Sequence, residues 1–268
     1  MVKYQNIFVT GSGGFIGKSL FDRHRNTKTF NLIRSPNLVE HQLSYNDLEN
    51  IDLVIHLFGI FGDEPETLTL FNLISTHRLM KVILKQDIKK IIFLSSGAVY
   101  GDGSGLPSKE SGLARPKSNY GLSKLITEEI IKVYCDNHGI NYLILRLPNV
   151  YGKDQRKGVI FNFHKQIKEQ GCITIEGSGK QTRDFLHISD LLYALDLATQ
   201  YDGQSEVINI SSSVNYSIND LANLFSMKYN FEIQYADTAN EIGSLCLDID
   251  KARNLLGYEP KVREILID

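Results

Sequence analysis

The run Ile7-Phe8-Val9-Thr10-Gly11-Ser12-Gly13-Gly14-Phe15-Ile16-Gly17 decides the fold. A short apolar stretch leads into glycines at 11, 14 and 17, and an amphipathic segment, Phe15–Arg23, follows at once. This order predicts a strand, a tight turn and a helix. Gly11 permits the turn, Gly14 lets backbone approach a pyrophosphate, and Gly17 lets the helix pack close to the strand. The phosphates then sit on the positive helix N-terminus, at the backbone of Phe15 and Ile16.

Outward from this segment, apolar runs recur at Thr29–Ile33, Leu53–Leu57, Ile91–Leu94 and Tyr142–Leu145. Their near-continuous hydrophobicity suits strands covered on both faces of a parallel sheet. Helical patterns lie between them at Thr67–Gln86 and Asn119–His138. The expected fold class is α/β, a Rossmann-type doubly wound parallel sheet with a smaller C-terminal substrate-binding lobe. Residues 1–150 read as the dinucleotide-binding domain, rejoined by 181–215; residues 151–180 and 216–268 read as the smaller lobe. After residue 150, helices are expected at Gly158–Gln170, Ser189–Gln200 (capped by Ser189), Ser217–Met227 (capped by Ser217) and Asp250–Leu256, with strands at Cys172–Ile175 and Val207–Ile210.

Composition excludes several classes. The 268 residues carry 29 Lys+Arg against 31 Asp+Glu, with no basic block, so no nucleic-acid partner is expected. No apolar run approaches the ~18–20 residues of a membrane span, and the N-terminus lacks a signal-peptide pattern. Cys135, Cys172 and Cys246 are too scattered for a disulfide framework or a metal knuckle, so reduced thiols and no metal are expected. A cytoplasmic enzyme is the reading.

Two further stretches carry chemistry. In Tyr120-Gly121-Leu122-Ser123-Lys124 the phenol and the ammonium stand four apart, on one helix face. A free phenol titrates near ~10, and a neighbouring cation lowers that value toward useful acid/base range. Leu94-Ser95-Ser96-Gly97-Ala98-Val99-Tyr100 ends the fourth strand, whose carboxyl edge opens into the ligand crevice.

In this order and spacing, these motifs resemble the extended short-chain dehydrogenase/reductase family, in its nucleotide-sugar epimerase/dehydratase branch. Arg146-Leu147-Pro148-Asn149-Val150-Tyr151-Gly152 and Gly177–Asp190, with its Arg183-Asp184-Phe185, extend the resemblance over nearly the whole chain. The resemblance implies that Tyr120 is the catalytic acid/base, that Lys124 holds the nicotinamide ribose and tunes Tyr120, and that Ser96 shares the proton relay. It implies that Leu57-Phe58-Gly59 runs under the cofactor, that Asn72 lies beside it, that Ser96 and Asn149 contact substrate, and that Arg183 binds a nucleotide-sugar diphosphate. It also implies a homodimer through the Tyr-bearing helix.

Departures narrow the function. Dehydratases of the branch carry Asp-Glu after the catalytic residue, where this chain has Gly97 and Ala98, neither of which transfers a proton. Decarboxylases and fucose-type synthases need a glutamate or a cysteine at Ala98. Hydride transfer at a sugar hydroxyl or ketone remains. Leu32-Ile33-Arg34-Ser35 ends the second strand without a carboxylate, so Arg34 is expected to meet a 2′-phosphate, making NADP(H) the preferred cofactor and NAD(H) the alternative. The leading reading is therefore reduction of a 4-keto-sugar nucleotide. A UDP-sugar 4-epimerase using NAD is the alternative, and a non-catalytic NADP-binding regulatory protein is third. Many relatives place a second diphosphate-binding arginine in the stretch matching Ala239–Ser244, where this chain has none.

Overall fold

The computed structural model describes residues 4–27, 31–35, 43–60, 65–102, 105–237 and 243–265. In chain order the elements are β1 (Asn6–Thr10), α1 (Phe15–Arg23), β2 (Asn31–Arg34), β3 (Leu53–His56), α2 (Pro65–Ile83), β4 (Lys90–Ser96), α3 (Asn119–His138), β5 (Asn141–Leu147) and β6 (Asn149–Tyr151). They continue with α4 (Val159–Gln170), β7 (Cys172–Glu176), β8 (Thr182–His187), α5 (Ile188–Gln200), β9 (Glu206–Asn209), β10 (Asn215–Ser217), α6 (Ile218–Ser226), β11 (Glu232–Ala236) and α7 (Asp250–Leu256).

Six parallel strands form the main sheet in the order β2-β1-β3-β4-β5-β9. The chain steps outward from β1 to β2 and returns to β3 on the other side. That reversal opens a crevice at the carboxyl ends of β1 and β3. Alternate residues of each strand feed two cores, which explains the continuous apolar runs. Ile7, Val9, Ile55, Ile92 and Leu145 pack under Leu20 of α1 and Leu191, Leu195 and Ala198 of α5. Phe8, Val54, Ile91, Phe93 and Ile144 pack under Leu79, Met80 and Ile83 of α2 and Ile131 and Cys135 of α3.

A third core joins Tyr151, Phe163, Ile173, Ile175, Phe185, Leu221 and Phe225. Around it stand a three-stranded sheet, β10-β8-β6, and the parallel pair β11-β7. Within 181–215, α5 and β9 belong to the main sheet and its cover, whereas β8 belongs to the small sheet.

The α/β class and most elements match the sequence reading. Thr29 and Phe30 lie outside the described residues, and the helix expected over Thr67–Gln86 runs from Pro65 to Ile83. The cap of α5 is His187 rather than Ser189: His187 keeps an extended backbone, and its ring accepts from the Ser189 N–H at 3.3 Å. β6, β8, β10 and β11 carry no apolar alternation strong enough to announce them, since their partners are remote in sequence. Among the described residues no helix is long and apolar enough to cross a membrane.

Behind β4 lies a buried ion pair. Glu128 of α3 accepts from Arg146 of β5 at 2.7 Å and from the Ser95 hydroxyl, and both charged side chains are at most 5% exposed. The Arg146 guanidinium also lies 4.8 Å from the Tyr100 ring. This cluster fixes α3 against the end of β4. Glu128→Ala strands a buried cation, so urea unfolding is expected to show a loss of about 3–5 kcal/mol. Lys132→Ala removes only the exposed Glu129 pair on the same helix and is expected to cost less than about 0.5 kcal/mol.

Candidate active site at the sheet's carboxyl edge

The crevice, open to solvent, spans about 1160 Å³. Gly11, Gly14, Phe15, Ile16 and Gly17 line it together with Leu57, Gly59, Ser96, Tyr120 and Lys124. Gly11 has φ +67°, and a Cβ there would lie 2.8 Å from the Phe58 nitrogen, so only glycine lets the loop reach the end of β3. No side chain caps α1, and its first turn holds no acidic residue. Its N–H groups and positive end therefore suit a pyrophosphate. The cradle fits a dinucleotide on its own chemistry.

Tyr120 is brought to Ser96 by another close approach. A Cβ at Gly121 would stand 2.5 Å from the Ala98 carbonyl oxygen, so the start of α3 sits directly on the turn after β4. Ser118 caps that start by accepting from the Gly121 N–H at 3.1 Å. The Ser96 hydroxyl accepts from the Ala98 N–H at 3.2 Å and hydrogen-bonds the Tyr120 phenol. Burial pushes Tyr120 up to about 12, and the Ser96 bond pulls the other way, so the resting side chain is a protonated acid. Lys124 Nζ donates to the Leu94 carbonyl at 2.9 Å and lies 5.9 Å from the Tyr120 ring centroid. Burial lowers Lys124 to about 8, while Glu128 one turn on raises it. A proton donor, a hydroxyl partner and a cation of adjustable charge thus meet beside the glycine loop, a set suited to proton exchange at a carbon-bound oxygen.

Other expected residues stand differently. Phe58 reaches the site only through its backbone; its ring packs into the core beneath α2 and α3. Asn72 does not line the crevice, because its amide is spent on both backbone groups of Ile60 and on Ser123 Oγ. Arg34 stacks on Phe21, 3.8 Å from the ring centroid, and donates to the Ser12 carbonyl at 3.1 Å, at the outer edge of the glycine loop. Asn149 lines the crevice, with its amide on the Asp184 carbonyl at 3.2 Å. Arg183 is turned onto the carbonyls of Gly243 (2.6 Å) and Thr182 (2.9 Å) and does not line the crevice. Of the stretch matching the second arginine, Ala239–Ile242 lies outside the described residues.

The crevice continues into an outer pocket of about 850 Å³. Lys153, Arg156, Lys157, His164 and His187 contribute to its wall, and among the described lining residues none is a carboxylate. Gln155, Lys157 and Gly158 line both cavities. The sequence reading missed this basic loop. Its only signal was three cations in the five residues Lys153–Lys157, which also describes an ordinary solvated turn.

The profile of the NAD dependent epimerase/dehydratase family matches residues 7–211. A UDP-glucose 4-epimerase of Halalkalibacterium halodurans is 30% identical over 79% of this chain and 72% of its own. A dTDP-4-dehydro-6-deoxyglucose reductase of Escherichia coli is 29% identical over 96% and 93%. Among solved structures, the UDP-glucuronic acid 4-epimerase of Bacillus cereus, in complex with UDP-glucuronic acid and NAD, superposes with a TM-score of 0.85 at 29% identity, covering 96% of this chain and 95% of that one. The glycine cradle, the Ser-Tyr-Lys cluster and these likenesses agree: the chain is an enzyme of the NAD dependent epimerase/dehydratase family, in its nucleotide-sugar-modifying branch.

Proposed function

We propose that the protein is a nucleotide-sugar 4-epimerase in which Ser96, Tyr120 and Lys124 handle the proton of the sugar 4-hydroxyl. The observation that carries this reading is the meeting of Tyr120, Ser96 and Lys124 beside the glycine loop, with Gly97 and Ala98 offering no second acid/base. Dehydration or decarboxylation needs such a group; epimerisation through a 4-keto sugar does not. A nicotinamide ring bound in the crevice supplies hydride exchange. The Tyr120 phenolate, favoured by Lys124 and by the cationic nicotinamide when dinucleotide is bound, takes the hydroxyl proton and returns it as a phenol; Ser96 orients the same oxygen, and Lys124 holds the ribose. Gly11, Gly14, Phe15, Ile16, Gly17, Leu57 and Gly59 cradle the dinucleotide. Asn149 and the basic outer pocket suit the anionic nucleotide portion of the substrate. The likeness to 4-epimerases supports this reading over the reductase expected from sequence.

One observation favours reduction of a 4-keto sugar as the second reading. Arg34 stands at the edge of the glycine loop with no carboxylate beside it on β2, where a 2′-phosphate fits. An epimerase regenerates its dinucleotide each cycle and retains it, whereas a reductase exchanges it. Identifying the nucleotide released from the purified protein, and assaying UDP-glucose against UDP-galactose alongside NADPH oxidation by a 4-keto-sugar nucleotide, separates the two. Retained NAD with interconversion supports the epimerase; NADPH oxidation without it supports the reductase.

Tyr120→Phe is expected to lower turnover by roughly 10²–10⁴ while dinucleotide affinity, read by calorimetry, stays within about threefold. Arg34→Asp is expected to weaken NADP binding by about tenfold or more, through loss of a charged hydrogen bond and repulsion of the 2′-phosphate, with NAD binding unchanged or tighter.

Lys124 sets a pH dependence. Its ammonium is lost as pH rises through about 8, so dinucleotide affinity and turnover are expected to fall above that value. Stability moves the other way. Between about 8 and the ordinary 10.5 the unfolded chain binds the extra proton, so this group's contribution to stability rises with pH. Thermal melts and binding isotherms at pH 7, 8 and 9 check that binding weakens there before unfolding begins.

A further inference from the structure

His56, the last residue of β3, is wholly buried. Its Nδ1 lies 2.7 Å from Thr10 Oγ1 and its Nε2 3.0 Å from Thr76 Oγ1. The surrounding bonds favour one arrangement of protons along this chain of contacts. The Thr76 hydroxyl donates to the Asn72 carbonyl at 2.8 Å, so it accepts from Nε2–H. Thr10 Oγ1 accepts from the Phe58 N–H at 3.2 Å, which leaves its own proton for Nδ1. This arrangement corresponds to a neutral ring in the Nε2–H form, and the ring is stacked on Phe93 with centroids 5.4 Å apart. Burial and the nearby Lys124 charge both oppose protonation, holding the ring's pKa down at about 3.

The chain of bonds runs behind the glycine loop, the Leu57–Ile60 stretch and the turn that carries Tyr120. At one end is Thr10, directly before the Gly11 turn. At the other, the Asn72 amide donates to the Ile60 carbonyl and Ser123 Oγ and accepts from the Ile60 N–H at 2.8 Å. The Ser123 hydroxyl then donates to the Tyr120 carbonyl at 2.8 Å. We infer that His56 is a positioning residue, whose two ring nitrogens set the glycine loop and the Leu57–Ile60 stretch in register with the helix turn carrying Tyr120 and Lys124. The inference rests on the reading of the crevice as a dinucleotide site. It gives Asn72 a role in aligning that site from behind, without contact to the cofactor. A neutral ring suits this place, since it donates on one side and accepts on the other, and adds no second buried cation beside Lys124.

The test removes one hydroxyl at nearly constant volume. Thr10→Val leaves Nδ1 and the Phe58 N–H unpaired. It is expected to raise the dissociation constant for NAD or NADP, measured by calorimetry, by about tenfold or more, and to lower kcat, while Thr10→Ser restores both. His56→Leu combined with Thr10→Val is expected to cost less than the two single effects together, because one chain carries both. If the wild-type protein binds neither NAD nor NADP, the dinucleotide reading falls and this role falls with it. If the wild-type protein binds while Thr10→Val binds as tightly and turns over as fast, the positioning role alone is overturned. Nitrogen-15 histidine spectra of the unaltered protein give a readout independent of variant folding. A neutral Nε2–H ring from pH 5 to 8 supports the assignment, and an Nδ1–H or charged ring overturns it.

Discussion

A Cβ on Gly11 would come within 2.8 Å of the Phe58 nitrogen, and the rest of the site depends on that close approach. β1 and β3 are neighbours in the sheet, and both end at the point where the strand order reverses. With no side chain between them, the turn after β1 lies against the backbone after β3, and the two together become one wall of a crevice. The Thr10 hydroxyl, bonded to the Phe58 N–H, holds the contact from beneath. A larger residue at 11 would force the loop outward and separate the α1 N-terminus from the group it is placed to receive.

The same device recurs where chemistry is performed. Gly121 lets the start of α3 settle on the Ala98 carbonyl, and only then do Tyr120 and Ser96 come within hydrogen-bond reach. The Glu128–Arg146 pair fixes the next turn of that helix, and Lys124 lies between Tyr120 and Glu128 on the same face. Lys124 feels burial and Glu128 in opposite senses, which leaves its charge adjustable near neutral pH. The packing that holds the helix and the electrostatics that tune the site therefore share the same residues.

The outer pocket is organised differently. Arg183 is spent on the Gly243 and Thr182 carbonyls, and the basic wall of the outer pocket comes from the turn between β6 and α4, with His164 on α4 and His187 at the end of β8. The small sheets and loops of this lobe carry much less of the chain's apolar periodicity than the main sheet does.

By itself the sequence determined the α/β class, the order of the six main-sheet strands along the chain, the glycine cradle, and the residues Ser96, Tyr120 and Lys124. Each is legible because its cause is local: an apolar run, a glycine at a turn, two side chains four apart on a helix. Tertiary structure alone decided that Asn72 stands behind the crevice, that Arg183 turns away from it, and that β8 pairs with β6 and β10. It also decided the role of His56, which in sequence is one polar residue closing an apolar run. Its meaning comes from Thr10 and Thr76, 46 and 20 positions away. A hydrogen-bonding side chain takes its function from partners that only folding supplies, whereas apolar periodicity already carries its burial in the order of residues.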